Sequence, residues 1–279
     1  MQSRPTLNAP DLREVRSRRV RMWMEIGACL RLGPRYRRSP MSKYFEELDF
    51  QQTPLGELSL RRKRVAMLGD LEVFEVKLGD AFLMTSMFHD VEDAVADLGL
   101  AELGATPSDV VVGGLGLGYT AVAALAHKEV RSLVVIDFLK PVIGWHQRGL
   151  VPLGPRLTSD ARCRLMHGDF FELATAPAGF DAGRHFHAVL LDIDHSPRNL
   201  LHARHAAFYS REGLGALASQ LHPGGVFAMW SDDPPDEEFL GLLKSVFATV
   251  RAEVVSFPNP ILDRNSASTV YVARKADAQ

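Results

Sequence analysis

From residue 105 onward, short apolar runs alternate with amphipathic stretches. The apolar runs near 110–113, 132–137, 162–167, 187–192, 225–230, 252–257 and 268–274 have strand length and predict seven strands. Apolar residues at three-and-four spacing predict helices near 118–128, 140–149, 199–220 and 235–248. Such alternation calls for an α/β fold with a Rossmann-like, doubly wound, mainly parallel sheet. The last two strands, separated by Pro258-Asn259-Pro260 and Asp263-Arg264-Asn265, read as an antiparallel edge hairpin. His222-Pro223-Gly224-Gly225 reads as a break between the helix near 199–220 and the fifth strand.

The pattern upstream is different. Leu58 and Leu60 alternate with Ser59 and Arg61, and Phe74, Val76 and Leu78 alternate with Glu75 and Lys77. This period of two, punctuated by Gly69-Asp70 and Gly79-Asp80, predicts hairpins of a small antiparallel sheet too short to hold a core alone. Val91, Ala94, Val95 and Leu98 predict a linking helix up to about Leu103. Three segments follow: a basic, poorly ordered extension over 1–45, a small β domain with its linking helix over 46–104, and a nucleoside-binding α/β domain over 105–279.

Composition narrows the class. At 46% apolar residues the chain supports a sizeable core, and no apolar run approaches the roughly 18–20 residues of a membrane helix. The arginine-rich start has no apolar signal core. Cys29 and Cys163 stand far apart and outside any C-x-x-C, which argues against a disulfide framework or structural zinc. A cytoplasmic protein is expected, with no membrane or nucleic-acid partner and no metal. Net charge is −2, but residues 1–43 hold 11 Lys+Arg against 3 Asp+Glu, so the rest of the chain carries −10. That acidic body favours a small cationic substrate.

The chemistry concentrates at strand ends, where ligands of open α/β sheets bind. The first strand empties into Gly113-Gly114-Leu115-Gly116-Leu117-Gly118, ahead of a helix. Gly113, Gly114, Gly116 and Gly118 let a backbone approach a ligand that a Cβ would push away, and the helix N-terminus beyond offers free N–H groups. The second strand ends in Asp137, where a carboxylate takes the hydroxyl pair of a ribose. Asp169 beside Phe170 ends the third; it suits an adenine edge, with the ring packing on the base, and equally suits the N-cap of a helix. Asp192 ends the fourth, placed to hold an attacking amine and take its proton, or else merely to face solvent. Asp194 and His195 follow it, and Trp230 and Asp232 end the fifth strand; these are substrate-side candidates. His195 reads first as a polar loop residue and, second, as an acid/base group. His202 and His205 match no metal-ligand spacing and read as helix-surface residues.

In the order Gly113-Gly114, Asp137 with Val142-Ile143, Gly168-Asp169, Asp192, Phe208-Tyr209 and Pro223-Gly224-Gly225-Val226, residues 50–275 resemble the spermidine synthase (polyamine aminopropyltransferase) family. The resemblance implies a small N-terminal β domain before a methyltransferase-type fold, and a homodimer. It implies Asp137 on ribose, Asp169 on adenine, Asp192 as base, and decarboxylated S-adenosylmethionine as co-substrate with an amine or polyamine acceptor. The departures fall on the substrate side. The glycine turn lacks the family's acid, and Asp192-Ile193-Asp194-His195-Ser196 replaces D-[ST]-[ST]-D-P. Leu83 stands for a glutamine, Phe88-His89 stands for an acid pair with Asp90 one step away, and Pro258-Asn259-Pro260 is what remains of P-T-Y-P-S-G. Two other functions stay open: methyl transfer from intact S-adenosylmethionine, and catalytically silent binding of an adenosyl ligand.

Overall fold

A computed structural model describes residues 45–278, so nearly all of the expected 1–45 extension lies outside the described residues. Four antiparallel strands come first: β1 (Phe45–Thr53), β2 (Gly56–Val65), β3 (Leu71–Leu78) and β4 (Ala81–Thr85). Left-handed Gly69 and Asp70 turn β2 into β3, and left-handed Gly79 turns β3 into β4, as the two Gly-Asp pairs predict. Leu58, Leu60, Phe74 and Val76 do not form a core of their own. They join Val91, Val95, Leu115 and Leu117 of the following segment in one apolar cluster.

Helix α1 (Asp90–Ala101) leads into the main sheet, whose strands lie in the order β10-β11-β9-β8-β5-β6-β7. Strands β5 (Ser108–Gly113), β6 (Val130–Asp137), β7 (Cys163–His167), β8 (Phe186–Leu191) and β9 (Leu221–Ser231) pair in parallel, with β7 at one edge. The last two, β10 (Thr249–Asn259) and β11 (Arg264–Arg274), form the expected antiparallel hairpin, with β11 against β9. Side chains alternate between two buried layers: Val110, Val112, Leu133, Val135 and Leu190 face one cluster, Val111, Val134, Ile136, Val189 and Leu191 the other. Both faces are covered, as a parallel sheet requires. The crossovers carry α2 (Tyr119–Ala126), α3 (Lys140–Gln147), α4 (Gly154–Ser159), α5 (Phe170–Thr175), α6 (Arg211–Ser219) and α7 (Glu237–Lys244). The chain winds away from β5 in both directions, so the topological switch point lies between β5 and β8.

Two expectations are corrected. The helix expected over 199–220 is a 3-10 turn at Ala203–Ala207 followed by α6, because buried Asp194 takes the Leu201 N–H and the His205 ring, while Ser210 caps α6. The supposed break at 222–225 lies inside β9, where left-handed Gly224 accompanies a register shift against β8. No helix among the described residues is long and apolar enough to cross a membrane.

Candidate active site at the switch point

The glycine turn is fixed from every side. Gly113 ends β5 with the Phe170 ring where a Cβ would stand. Its carbonyl accepts the Asp192 N–H (2.8 Å), and the Gly114 N–H donates to Ile136 O (2.9 Å), tying the turn to both neighbouring strands. Gly114, Gly116 and Gly118 have φ of +94°, +46° and +98°. At Gly114 a Cβ would also collide with the Asp192 carbonyl, so strain and sterics both demand glycine there. Gly118 is the N-cap of α2. Buried His146 lies beneath, its Nε2–H donating to Gly116 O (2.9 Å); loss of water holds its pKa below the usual histidine value, favouring the neutral ring. From β4 the Met84 Sδ accepts the Leu117 N–H (2.9 Å).

Asp137 supports the same turn. It is 8% exposed, and its two oxygens accept the N–H groups of Leu115 (2.9 Å) and Leu139 (2.7 Å). Burial raises its pKa, and these backbone donors oppose the rise. Asp169 caps α5, Oδ1 accepting from Phe171 (3.0 Å) and Glu172 (3.3 Å), while Oδ2 accepts no hydrogen bond among the described residues. Phe170 corrects the expectation of a base-stacking ring. At 2% exposed it belongs to the inner apolar layer, packed edge-on against Phe171 and Phe208.

Asp192 follows β8 directly, half-buried, with its Oδ2 accepting the Thr120 hydroxyl (2.9 Å) from the first turn of α2. Loss of water raises its pKa to about 6, against which the Thr120 bond acts. Glu92, on the first turn of α1, is half-buried as well, and its pKa is raised by desolvation and by the charge of Asp192. Neither Thr120 nor Glu92 stood out in the sequence. Thr120 is two residues past the last turn glycine, which is the signal that would have found it. Glu92 sits among acids that a helix start attracts anyway.

The remaining candidates divide. Asp194 turns inward, with its side chain fully buried, accepting from Leu201 N–H (2.7 Å), the His205 ring (2.8 Å) and the Tyr209 hydroxyl (3.1 Å). It holds the loop and does not face a substrate, and His205, stacked on Phe171 at 3.9 Å, is not a surface residue. His195, Trp230 and Asp232 do gather at the ends of β8 and β9: the His195 carbonyl accepts the Asp232 N–H (2.7 Å), and its ring lies 6.2 Å from the Trp230 ring. Asp90 is exposed at the start of α1. Among the described residues no cluster of three or more metal-ligating side chains occurs.

No family model matches the chain. It is 30% identical over 186 residues to polyamine aminopropyltransferase 2 of Pseudomonas aeruginosa, covering 62% of this chain and 48% of that protein. It is 25% identical over 224 residues to the polyamine aminopropyltransferase of Sulfolobus acidocaldarius, covering 77% and 66%. The chain thus spans half to two thirds of these curated relatives. The spermidine synthase of Thermotoga maritima superposes with a TM-score of 0.63 at 15% identity, over 88% of this chain and 84% of that one. A spermidine synthase in complex with the transition state analogue AdoDATO does so with 0.65 at 17%, over 90% and 85%. The structural likeness shows a shared fold, and the sequence matches bear out the resemblance to the spermidine synthase family.

Proposed function

We propose that this chain, similar in sequence to polyamine aminopropyltransferases and sharing the fold of spermidine synthases, moves an aminopropyl group from decarboxylated S-adenosylmethionine to an amine or polyamine. The observation that carries this reading is Asp192, placed beside the glycine turn at the switch point with one oxygen held by Thr120. Asp137 and the free oxygen of Asp169 at the ends of β6 and β7 are the groups for ribose and adenine, and the N-terminus of α2 completes the nucleoside side.

The acceptor nitrogen attacks the methylene carbon next to the sulfonium. The C–N bond forms as the C–S bond breaks, the pair goes to sulfur to leave neutral methylthioadenosine, and the proton lost by nitrogen goes to Asp192. A sulfonium is already an activated leaving group, so alignment and a base are what the protein supplies. A carboxylate raised to about 6 is a better base near neutral pH than an ordinary one. The family resemblance carries with it a cytoplasmic homodimer, which light scattering on the purified chain checks.

Calorimetry with decarboxylated and intact S-adenosylmethionine, side by side, tests the reading. Preference for the decarboxylated donor is expected, followed by amine-dependent release of methylthioadenosine. Preference for the intact donor would sink aminopropyl transfer in favour of methyl transfer. Binding without turnover on any amine would leave a silent adenosyl-binding protein.

A further inference from the structure

We propose that Glu92 is the second carboxylate of the site and, together with Asp192, holds the primary ammonium of a substrate. The inference rests on the aminopropyl-transfer reading and assigns it a residue that the motif comparison passes over.

Three acids, Asp90, Glu92 and Asp93, occupy the first turn of α1, and the helix dipole accounts for acids there in general. Their surroundings set them apart. Asp90 is exposed to solvent. Asp93 is engaged by the His89 ring (2.8 Å), which itself stacks on Tyr119 with centroids 4.1 Å apart. Glu92 is half-buried and, beyond its own backbone N–H, its carboxylate has no hydrogen-bond donor among the described residues. The charge acting on it most strongly is that of Asp192.

The geometry follows from the packing of α1 on α2 and on the sheet at β8 and β9. Thr120 of α2 donates to Asp192, and next to it Tyr119 stacks on His89, the N-cap of α1, so the starts of α1 and α2 and the end of β8 meet where Glu92 stands in the first turn of α1. Two carboxylates in one poorly hydrated place repel each other unless a proton or a cation lies between them. Thr120 serves one oxygen of Asp192, and among the described residues no Lys or Arg forms an ion pair with either acid. A substrate ammonium has three donors and the missing charge. It replaces the proton and makes a charge-assisted bond to each carboxylate.

The same arrangement accounts for the altered loop after β8. The acid nearest Asp192 in sequence, Asp194, is spent on Leu201, His205 and Tyr209 inside the loop. A second acid for a cation therefore has to come from elsewhere, and α1 supplies it. The ammonium has two sources in the proposed reaction, the aminopropyl arm of the donor or the acceptor's own amine before it yields its proton to Asp192.

Glu92→Gln keeps the shape and removes the charge. Calorimetry compares it with the wild type using three probes: methylthioadenosine, which has no ammonium, decarboxylated S-adenosylmethionine, and 1,4-diaminobutane alone. Expected is an unchanged affinity for methylthioadenosine, with at least a tenfold loss for one of the two cationic probes. Loss with the donor assigns the ammonium to the donor arm, and loss with the diamine assigns it to the acceptor. Because burial and the charge of Asp192 raise the Glu92 pKa, the wild type should also release more protons on binding that probe than Glu92→Gln does when compared across a pH series, seen as a heat that varies with the buffer's ionisation enthalpy. Asp90, Asp93 and His89 beside α1, Tyr119 on α2 and Asp192 are the other titratable groups around it, so Asp93→Asn should retain the release. Equal affinities of both proteins for both cationic probes overturn the proposal, whether or not methylthioadenosine binds. Failure of the wild type to bind methylthioadenosine counts against the nucleoside reading instead, because the diamine arm still reads Glu92 alone. Should Glu92→Gln not fold, Glu92→Asp, with the charge withdrawn by one methylene, is expected to lose affinity for the same probe and keep methylthioadenosine.

Discussion

Asp192 carries a cost that its proposed role as base explains. Desolvation raises its pKa from 3.8 to about 6, so the folded protein binds this proton more tightly than the unfolded chain does. Ionised Asp192 therefore opposes folding, by a penalty that grows between about pH 4 and pH 6 and stays constant above. Asp192→Asn should melt higher than the wild type at pH 7.5, by on the order of 1–2 kcal/mol in stability, while losing about 100-fold or more in turnover. Differential scanning calorimetry and a methylthioadenosine-release assay on the same preparation check both halves. Thr120 acts in the opposite sense, since its hydroxyl bonds the charged form. In Thr120→Val the acidic limb of the kcat/KM profile should move to higher pH, whereas an unmoved limb would detach that limb from Asp192. At this scale the sequence named Asp192 and not its partners, because the two groups nearest its chemistry sit 72 residues away and farther along the chain.

At the scale of elements, the segment from Asp194 to Tyr209 shows how one buried acid overrules a helical pattern. Residues 199–220 have helix-like spacing, yet Asp194 captures a backbone N–H and two side chains within the segment and bends it into a loop. Removing a fully buried carboxylate from three donors leaves them unpaired. Asp194→Ala should cost about 3 kcal/mol and expose residues 195–209 to limited proteolysis, which mass spectrometry of the fragments locates. The opposite end of the sheet has its own staple. Asp109, at the start of β5, accepts from Arg131 (2.9 Å) and Ser132 (2.7 Å) at the start of β6, and Arg184 lies 2.7 Å away before β8. Arg131 first, against some desolvation, and then Ser132 and Arg184 hold its carboxyl well below the usual range. The stability it gives is present above the unfolded-state pKa of about 4 and is lost as pH falls toward the lower folded value. Asp109→Asn should lower the melting temperature at pH 7, and its gap from the wild type should narrow steadily as pH falls below about 4, as melts across that range will show.

At the scale of the molecule, the small sheet is bound into the larger fold in two ways. Its apolar face joins the cluster under α1 and the glycine turn, and Asp49 on β1 accepts from Trp145 Nε1 (2.7 Å) and Arg148 (2.6 Å) on and after α3. Met84 then reaches the turn itself. The small sheet is therefore part of what shapes the glycine turn of the candidate site. Its alternation was readable in Leu58–Arg61 and Phe74–Leu78, but the surface that covers those leucines belongs to residues further along the chain.

The sequence alone determined what depends on neighbours along the chain. Strand and helix periods, the Gly-Asp turns, the glycine turn after β5 and the acids at strand ends follow from local sterics and from apolar runs that have to be buried on both faces. With them came the order of elements, and hence the strand ends at which the candidate site gathers. Only the tertiary structure decided which polar groups meet. It turned Phe170 into the inner layer and Asp194 into its own loop, and brought Thr120 against Asp192. It also set Glu92 under the charge of Asp192, 100 positions away in the chain. The physical reason is that burial and charge pairing depend on separation in space, and the packing of α1, α2 and β8 sets that separation after every local preference has been satisfied.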